Sequence, residues 1–338
     1  MFAELIESLR RRQDLTESEA TSAMVEIMEG RATSAQIAGF LIALSMKGER
    51  PAEIVGLART MRERAVRLSA SFDDVFDTCG TGGDNLHTFN VSSLAALTLA
   101  ACGVRVAKHG NRSVSSSSGS ADLFEALGVN VTAAPPVVEQ CLAEVGIAFF
   151  FAPTFHPSMR HAGPTRRELG VRTAFNLLGP LTNPAGAKRQ IVGVPGPEYT
   201  DLLARALGQL GSERAWVVHG ADGLDEISTT GYTKVAEYRN GRLHTFYVHP
   251  SDLGIAPTSL ETLRVSGPDE SLAIAQGVLA GEPGPARDFV VANAAAGLFI
   301  AERASSLAAG AALAASALNQ GRVSQKLDAL VACSKGSV

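Results

Sequence analysis

The chain has 338 residues, of which 46% are apolar and 19% charged, and its 30 basic and 34 acidic residues leave a net charge of −4. This length suggests two domains, and the high apolar content with low net charge excludes an intrinsically disordered chain. The balanced charge argues against a large nucleic-acid-binding surface. No run of 18 apolar residues predicts a membrane span, and residues 1–14 lack the apolar stretch of a signal peptide. We therefore expect a cytoplasmic protein whose four separated cysteines are reduced.

Helix signals fill the first 70 residues. Residues 16–19 and 33–36 each have the sequence of a capping box, and apolar residues at helical spacing follow both. Pro51 stands where a first helical turn accepts proline, and residues 2–11 form a further helical stretch. The pattern predicts four helices and no strand over 1–70, which would form a small domain or a dimerisation surface.

Beyond Phe72, short β-type runs alternate with helical segments. This alternation is typical of an α/β fold with a largely parallel sheet. We predict a central, mostly parallel sheet flanked by helices over residues 71–338, with helices from about 155–180 joining the N-terminal domain. The predicted strands are 75–78, 104–107, 147–151, 191–194 and 215–219, and 234–238 with 243–248 form a hairpin. The predicted helices are 92–101, 121–127, 137–145 and 199–210, with a helical stretch over 269–330.

A glycine-rich segment follows the first predicted strand. Residues 77–84 read DTCGTGGD, and closely spaced glycines let backbone N–H groups point at one anion. The spacing fits neither GxGxxG nor a Walker A loop, and a tight surface turn is an equally good interpretation of the segment alone. Residues 88–93 then open a helix with hydroxyl side chains, which act either as caps or as phosphate and Mg²⁺ partners.

A basic and serine-rich segment follows the second predicted strand. It begins with residues 108–112, KHGNR, and continues into 113–120, where six of eight residues are serine. Lysine, arginine, hydroxyls and glycine together indicate polyanion binding. A disordered serine linker is the alternative, but a strand over 104–107 and a helix over 121–127 flank the segment closely. His109 alone fits a loop histidine with no catalytic role equally well.

Acidic and arginine-rich segments complete the pattern. Asp222, Asp225 and Glu226 follow the strand over 215–219, where acid pairs bind Mg²⁺ or are simply solvated. The region 155–184 carries His156 and His161, together with Arg166, Arg167 and Arg172. Arginine binds carboxylates through two hydrogen bonds, although surface charge is the ordinary alternative. Because these segments fall at strand ends, together they predict a magnesium-assisted site for a diphosphorylated compound and a small acid.

Seven segments closely resemble the motifs of the anthranilate phosphoribosyltransferase family, in that family's order. With the N-terminal helices, the resemblance covers nearly the whole chain. The segments are residues 78–84, 88–92, 108–112, 118–122, 166–170, 175–181 and 222–228. Three positions depart from the family pattern, namely Asn85 for glycine, Ser93 for threonine and Thr165 for valine.

The resemblance implies a homodimeric enzyme that transfers the phosphoribosyl group of phosphoribosyl diphosphate (PRPP) to anthranilate in tryptophan biosynthesis. Its active site would lie between the helical and the α/β domains, and two Mg²⁺ ions would be bound. A pyrimidine nucleoside phosphorylase-like enzyme and an inactive nucleic-acid-binding relative are the alternatives. Neither nucleic acid nor a membrane is an expected partner.

The resemblance also implies roles for individual residues. Ser92, Asp225 and Glu226 would bind the metal, and Gly80, Asn111 and Arg166 would contact anthranilate. Lys108, Asn111 and Arg166 would position the transition state, since the sequence offers no acid–base dyad. The PRPP-binding residues would be Gly80, Gly83, Asp84, Thr88, Asn90, Val91, Ser92, Ser93, Lys108, His109, Gly110, Asn111, Arg112, Ser113, Val114, Ser115, Ser116 and Ser120.

Overall fold

Four helices form the N-terminal part of the chain, and α2 and α3 begin at the capping boxes that the sequence predicts. The structure, a computed structural model, describes residues 1–112 and 119–336. The Thr16 side chain accepts a hydrogen bond from the Glu19 N–H, and the Glu19 side chain accepts one from the Thr16 N–H. Thr33 and Gln36 repeat this arrangement. The helices are α1 (Phe2–Arg10), α2 (Glu17–Met28), α3 (Ser34–Lys47) and α4 (Pro51–Glu63).

The α/β part is built on a seven-stranded sheet with the order β3-β2-β1-β4-β5-β6-β7. The first five strands in this order are parallel, and β6 and β7 add an antiparallel hairpin. The expected fold class, a helical domain with a mostly parallel α/β domain, is therefore confirmed. The strands are β1 (Val75–Gly80), β2 (Arg105–Gly110), β3 (Ile147–Phe151), β4 (Arg189–Gly193), β5 (Arg214–Gly220), β6 (Thr233–Arg239) and β7 (Arg242–Val248).

Helices cover both faces of the sheet. The segment predicted as one helix over 137–145 is α-helical only in its first part and continues as a π-helical turn over Cys141–Val145. The remaining helices are α5 (Val91–Ala101), α6 (Ser120–Ala126), α7 (Pro135–Gln140), α8 (Ala152–Phe155), α9 (Gly163–Leu169), α10 (Ala174–Leu178), α11 (Glu198–Gln209), α12 (Pro268–Leu279), α13 (Pro285–Ile300), α14 (Leu307–Asn319) and α15 (Arg322–Ser334). Within the described ranges, no helix is long and apolar enough to cross a membrane.

Two apolar clusters lie on opposite faces of the sheet. Along β5, Trp216 and Val218 belong to the cluster with α5 and α13, whereas Val217 belongs to the cluster with α1–α4, α10 and α11. This alternation follows from the two-residue period of a strand. Arg62 of α4 donates to the carbonyl oxygens of Leu181 at 2.6 Å and Leu210 at 2.8 Å, so the helical part is also tied to the rest by hydrogen bonds.

Both β1 and β2 extend further than the sequence predicts. The predicted strands stop at residues 78 and 107, but Gly80 pairs with Gly193 and Gly110 pairs with Phe151. Lys108 and His109 are thus strand residues rather than loop residues. A lysine is tolerated in this buried strand because its ammonium group has hydrogen-bond partners there, as described below.

Candidate active site

The carboxyl ends of β1, β4 and β5 meet at one edge of the sheet, where open α/β folds bind their ligands. The glycine-rich loop after β1 is attached to β4, because the N–H and hydroxyl of Thr81 both donate to the Gly193 carbonyl oxygen, at 2.9 and 3.2 Å. Asn85 at the end of this loop has φ +56°. This left-handed conformation favours glycine, and asparagine is among the residues that tolerate it.

Lys108 connects β2 to the start of α5. Its side chain is 2% exposed, and its ammonium group donates to the Thr78 carbonyl oxygen and to the Ser92 hydroxyl at 3.3 Å. The Thr78 hydroxyl in turn donates to the Ser92 carbonyl oxygen at 2.9 Å. The predicted glycine, hydroxyl and lysine segments therefore converge on one place.

A buried network lies beside Lys108. The Asn183 amide donates to Asp77 Oδ2 and to the Ala107 carbonyl oxygen, both at 2.8 Å, and the His109 N–H donates to Asp77 Oδ1 at 3.3 Å. Burial raises the pKa of Asp77 to about 6, against the opposing effect of Lys108. Asn183 is a residue that the sequence analysis missed. An amide next to proline carried no signal of its long-range partner.

Asp225 and Glu226 form a partly buried acidic pair near the glycine-rich loop. Asp225 Oδ2 accepts the Gly82 N–H at 3.0 Å, and the Asp225 carboxylate lies near that of Asp84. Glu226 accepts the Ser92 N–H. Burial and the neighbouring acids raise the pKa of Asp225 to about 7 and that of Glu226 well above its usual range.

Asp222, by contrast, has a structural role in its own loop. Its carboxylate accepts hydrogen bonds from the hydroxyls of Ser228, at 2.6 Å, and Thr230, and from the Leu224 N–H at 3.1 Å. The loop also passes so close to β4 that a Cβ on Gly193 would overlap the Asp225 carbonyl oxygen. Gly193 is a second position that the sequence analysis missed, since a single glycine at a strand end is common.

The hydroxyl-rich start of α5 is partly buried. The Asn90 amide oxygen accepts the Ser271 hydroxyl at 3.0 Å, and the Thr88 backbone bridges to Arg264. Val91 and Ser93 are buried. The Ser93 hydroxyl has no hydrogen-bond partner among the residues that the structure describes.

The end of the basic segment is arranged differently from Lys108. Asn111 is exposed and accepts the Arg112 N–H at 2.8 Å, while the Arg112 guanidinium pairs with Asp122 at 3.0 Å and Glu125 at 2.7 Å. Arg112 is thus directed at α6 rather than joined to the buried network. The Ser120 hydroxyl lies against Gly110, where it occupies the place of a Cβ. The predicted residues Ser113, Val114, Ser115 and Ser116 lie outside the described part of the chain.

The two histidines are buried and neutral. His109 Nδ1 lies 3.2 Å from the Gly179 carbonyl oxygen, His156 Nε2 lies 3.0 Å from that of Thr182, and the ring centroids are 5.2 Å apart. Burial lowers the pKa of His109 to about 3 and that of His156 to about 4. Both rings therefore hold the turn at 179–182 as neutral hydrogen-bond donors.

Arg166 and Arg172 differ in their surroundings. The Arg166 guanidinium lies 5.1 Å from the ring centroid of Phe175, and burial lowers its pKa. It makes no ion pair with any residue in 1–112 or 119–336. Arg172 reaches the glycine-rich loop, where its guanidinium lies against Gly83. Of the two, Arg166 is the half-buried arginine with no acidic partner, and such an arginine is a suitable site for a small carboxylate.

No group of three or more His, Cys, Asp or Glu residues in the described ranges is arranged to hold a metal ion by itself. Mg²⁺ sites commonly use one or two carboxylates together with substrate phosphates. The Asp225–Glu226 pair is of that kind.

Sequence comparisons define the class. The profile described as "Glycosyl transferase family, helical bundle domain" matches residues 3–65, and "Glycosyl transferase family, a/b domain" matches residues 73–324. The chain is therefore a glycosyltransferase of the pentosyltransferase kind. Curated anthranilate phosphoribosyltransferases of Symbiobacterium thermophilum and Moorella thermoacetica are 51% and 53% identical to it, over 96% and 95% of this chain and 95% and 94% of theirs. The chain belongs to the anthranilate phosphoribosyltransferase family.

Solved structures agree with this assignment. The Thermus thermophilus anthranilate phosphoribosyltransferase superposes with a TM-score of 0.92 at 45% identity, covering 98% of this chain and 99% of that one. The Saccharomyces cerevisiae enzyme in complex with PRPP and Mg gives a TM-score of 0.91 at 25% identity, covering 99% and 98%. The same yeast enzyme in complex with 4-fluoroanthranilate gives 0.87 at 25% identity, covering 99% of each chain.

Proposed function

We propose that this protein transfers the 5-phosphoribosyl group of PRPP to the amine of anthranilate in a Mg²⁺-dependent step of tryptophan biosynthesis. The products are N-(5-phosphoribosyl)anthranilate and diphosphate. The observation that carries the proposal is the convergence of the glycine-rich loop, Lys108 and the Asp225–Glu226 pair at one sheet edge. The family's curated members and the yeast complexes with PRPP, Mg and 4-fluoroanthranilate support it.

The donor would bind along the ends of β1 and β2 and the start of α5. Backbone amides of the glycine-rich loop suit phosphate oxygens, and the Lys108 ammonium adds a fixed positive charge. For the other PRPP-binding residues we keep the assignment that the sequence resemblance implies. They include Asp84, Thr88, Asn90, His109 and Arg112. Arg112 would have to exchange its partners on α6 for the donor.

The residues present fit a divalent cation. Asp225 and Glu226 are partly buried carboxylates close to each other and to Asp84, and desolvation together with the neighbouring negative charge raises the pKa of both. A hard cation prefers such oxygen ligands. We assign Asp225, Glu226 and Ser92 to two Mg²⁺ ions, which when bound would neutralise the diphosphate.

The protein's own part in the reaction is positioning. Loss of diphosphate places positive charge on the ribose ring, so the site must hold the leaving anion and direct the amine at C1. Arg166, with Asn111 and Gly80, would hold the anthranilate carboxylate. The aromatic amine already carries its lone pair, so no strong general base is needed. The neutral His109 and His156 would support the site structurally and would not act as proton acceptors.

We extend the proposal to the assembly. Residues 1–70 would form the helical domain and 71–338 the α/β domain. Segments from 155–180 would join the former, since Ala162 and Phe175 share its apolar cluster. The active site would lie between the two domains of each subunit, and the enzyme would be a cytoplasmic homodimer. Sedimentation of the purified protein tests the dimer.

One assay tests the reaction. Anthranilate fluorescence should fall when PRPP and Mg²⁺ are added, and it should stay constant when either is omitted or the metal is chelated. Phosphate-dependent cleavage of a pyrimidine nucleoside would instead favour a nucleoside phosphorylase. Binding of DNA or RNA without any turnover would favour a nucleic-acid-binding relative. Constant fluorescence under all conditions would contradict the proposed function.

A further inference from the structure

Arg172 is the one arginine of the 155–184 region that reaches the glycine-rich loop. Its backbone is fixed, because the next residue, Thr173, caps α10 and donates its N–H to the Asn176 side chain at 3.0 Å. From there the guanidinium reaches across to the loop, where Nη2 lies 3.5 Å from the Thr81 carbonyl oxygen. A Cβ on Gly83 would overlap Nη1. The loop therefore has room for this guanidinium because residue 83 is glycine.

The same guanidinium is close enough to the acidic side chains of the site to interact with them electrostatically. Its electrostatic partners are Asp225, Asp84 and the phenol of Tyr199. Asp225 itself is held by the Gly82 N–H at 3.0 Å. The glycine-rich loop thus holds a carboxylate at one residue and a guanidinium at the next. The Asp225 carboxylate lies where the loop could bind an anionic group of a ligand. The Arg172 guanidinium lies beside the carboxylates, where a bound cation would also be attracted.

We propose that Arg172 is a positioning residue of the donor site, which acts as a built-in counter-cation for Asp84 and Asp225 and competes with divalent metal there. This inference rests on the metal assignment in the proposed function and deepens it. A divalent cation approaching these carboxylates meets the repulsion of a positive charge already beside them. The metal therefore binds well only when Arg172 moves away or when a diphosphate offsets its charge.

The competition makes metal and diphosphate depend on each other. A diphosphate offers Arg172 and the Gly82 N–H new partners, and this leaves Asp225 free for the cation. A metal ion alone provides no new anionic partner for Arg172 or for the Gly82 N–H. We expect weak binding of metal alone, and tighter binding when the Arg172 charge is removed.

Direct titration with Mn²⁺ as the only ligand tests this. We expect Arg172→Gln and Arg172→Ala to bind Mn²⁺ about fivefold or more tightly than the unmodified protein, as the loss of one nearby unit charge requires. Arg172→Lys keeps the charge and should restore weak binding. The matched control is Arg167→Gln, which removes a positive charge at an exposed position five residues away. This variant should bind Mn²⁺ as tightly as the unmodified protein does.

Two further measurements make the result decisive. In the Arg172→Gln background, Asp225→Asn should abolish the increase in Mn²⁺ affinity. This result would place the titrated metal at this site. Thermal unfolding should be similar for the Arg172 variants, whose side chain is partly exposed. A folded Arg172→Gln protein that binds Mn²⁺ no more tightly than the unmodified protein would overturn the inference. Because the titration uses neither PRPP nor anthranilate, failure of the proposed reaction would be seen separately in the fluorescence assay.

Discussion

The side chain of Asn293 hydrogen-bonds both backbone groups of Ile227, the residue that follows the Asp225–Glu226 pair. Its Oδ1 accepts the Ile227 N–H at 2.9 Å, and its Nδ2 donates to the Ile227 carbonyl oxygen at 3.1 Å. Nδ2 also donates to the Phe289 carbonyl oxygen at 3.0 Å. A buried amide on α13 thus fixes the segment that carries the acidic pair, although 66 residues separate the two positions.

Asn293→Leu should therefore affect both stability and metal use. Two buried backbone groups of Ile227 would lose their partners, and we expect a loss of about 2 kcal/mol in the free energy of unfolding. The Mg²⁺ concentration for half-maximal rate should also rise, because Asp225 and Glu226 would be less well positioned. Urea denaturation and a Mg²⁺ titration of the rate measure these effects. Gln209→Ala, at an exposed amide on α11, should change neither.

Gly193→Ala should damage the site without removing any polar group. The new methyl would overlap the Asp225 carbonyl oxygen, which belongs to backbone and cannot yield as a flexible side chain does. We expect a strong loss of turnover, seen in the anthranilate fluorescence assay. The matched control is Gly231→Ala, where a Cβ would meet only Ala221 Cβ at 3.9 Å. Equal activities of the two variants would contradict the close approach.

Arg166→Ala should raise the KM for anthranilate far more than the KM for PRPP. A hydrogen bond to a charged group contributes about 1.5–3 kcal/mol, so the KM for anthranilate should rise roughly tenfold to a hundredfold. Steady-state kinetics with each substrate varied in turn give the two constants. Arg167→Ala, at the exposed neighbouring position, is the control. Equal increases in both KM values would exclude Arg166 as the carboxylate-binding residue.

Thr165→Val should stabilise the protein. The Thr165 side chain is buried at 3% exposure, and its hydroxyl has no hydrogen-bond partner within residues 1–112 and 119–336. Replacing an unpaired buried hydroxyl by a methyl group of similar shape removes a desolvation cost, which we estimate at about 1 kcal/mol. Urea denaturation checks the gain. A destabilised variant would mean that the hydroxyl has a partner in solution.

Acid should destabilise the protein through His109 and His156. An unfolded histidine takes up a proton near pH 6.5, whereas the folded protein holds these two with pKa values of about 3 and about 4. The unfolded state therefore binds more protons between pH 6.5 and 4, and stability falls as pH decreases through this window. Each histidine contributes up to about 1.4 kcal/mol per pH unit.

Urea denaturation between pH 7.5 and 4.5 measures this slope. His156→Gln keeps a donor for the Thr182 carbonyl oxygen but does not titrate, so its slope should be shallower by about one proton. His249→Gln, at an exposed histidine, is the control and should keep the original slope. A His156→Gln slope equal to that of the unmodified protein would mean that His156 does not remain neutral in the folded state.

The sequence by itself determined the features that depend on neighbouring residues. Capping boxes at Thr16 and Thr33 start their helices locally, and the alternation of short strand-like runs with helical segments indicated a mostly parallel sheet. The glycine-rich, basic and acidic motifs identified the family without any contact information. These signals are readable because a cap, a strand period or a motif lies within a few residues along the chain.

Only the tertiary structure decided which partners these groups take. Lys108 lies in a buried strand because Thr78 and Ser92 receive its ammonium group, and β1 and β2 extend because β4 and β3 pair with their last residues. Asn183, Gly193 and Asn293 act on residues that are distant in sequence. No local pattern records such contacts, because packing and register bring the two members of each pair together only when the whole sheet forms.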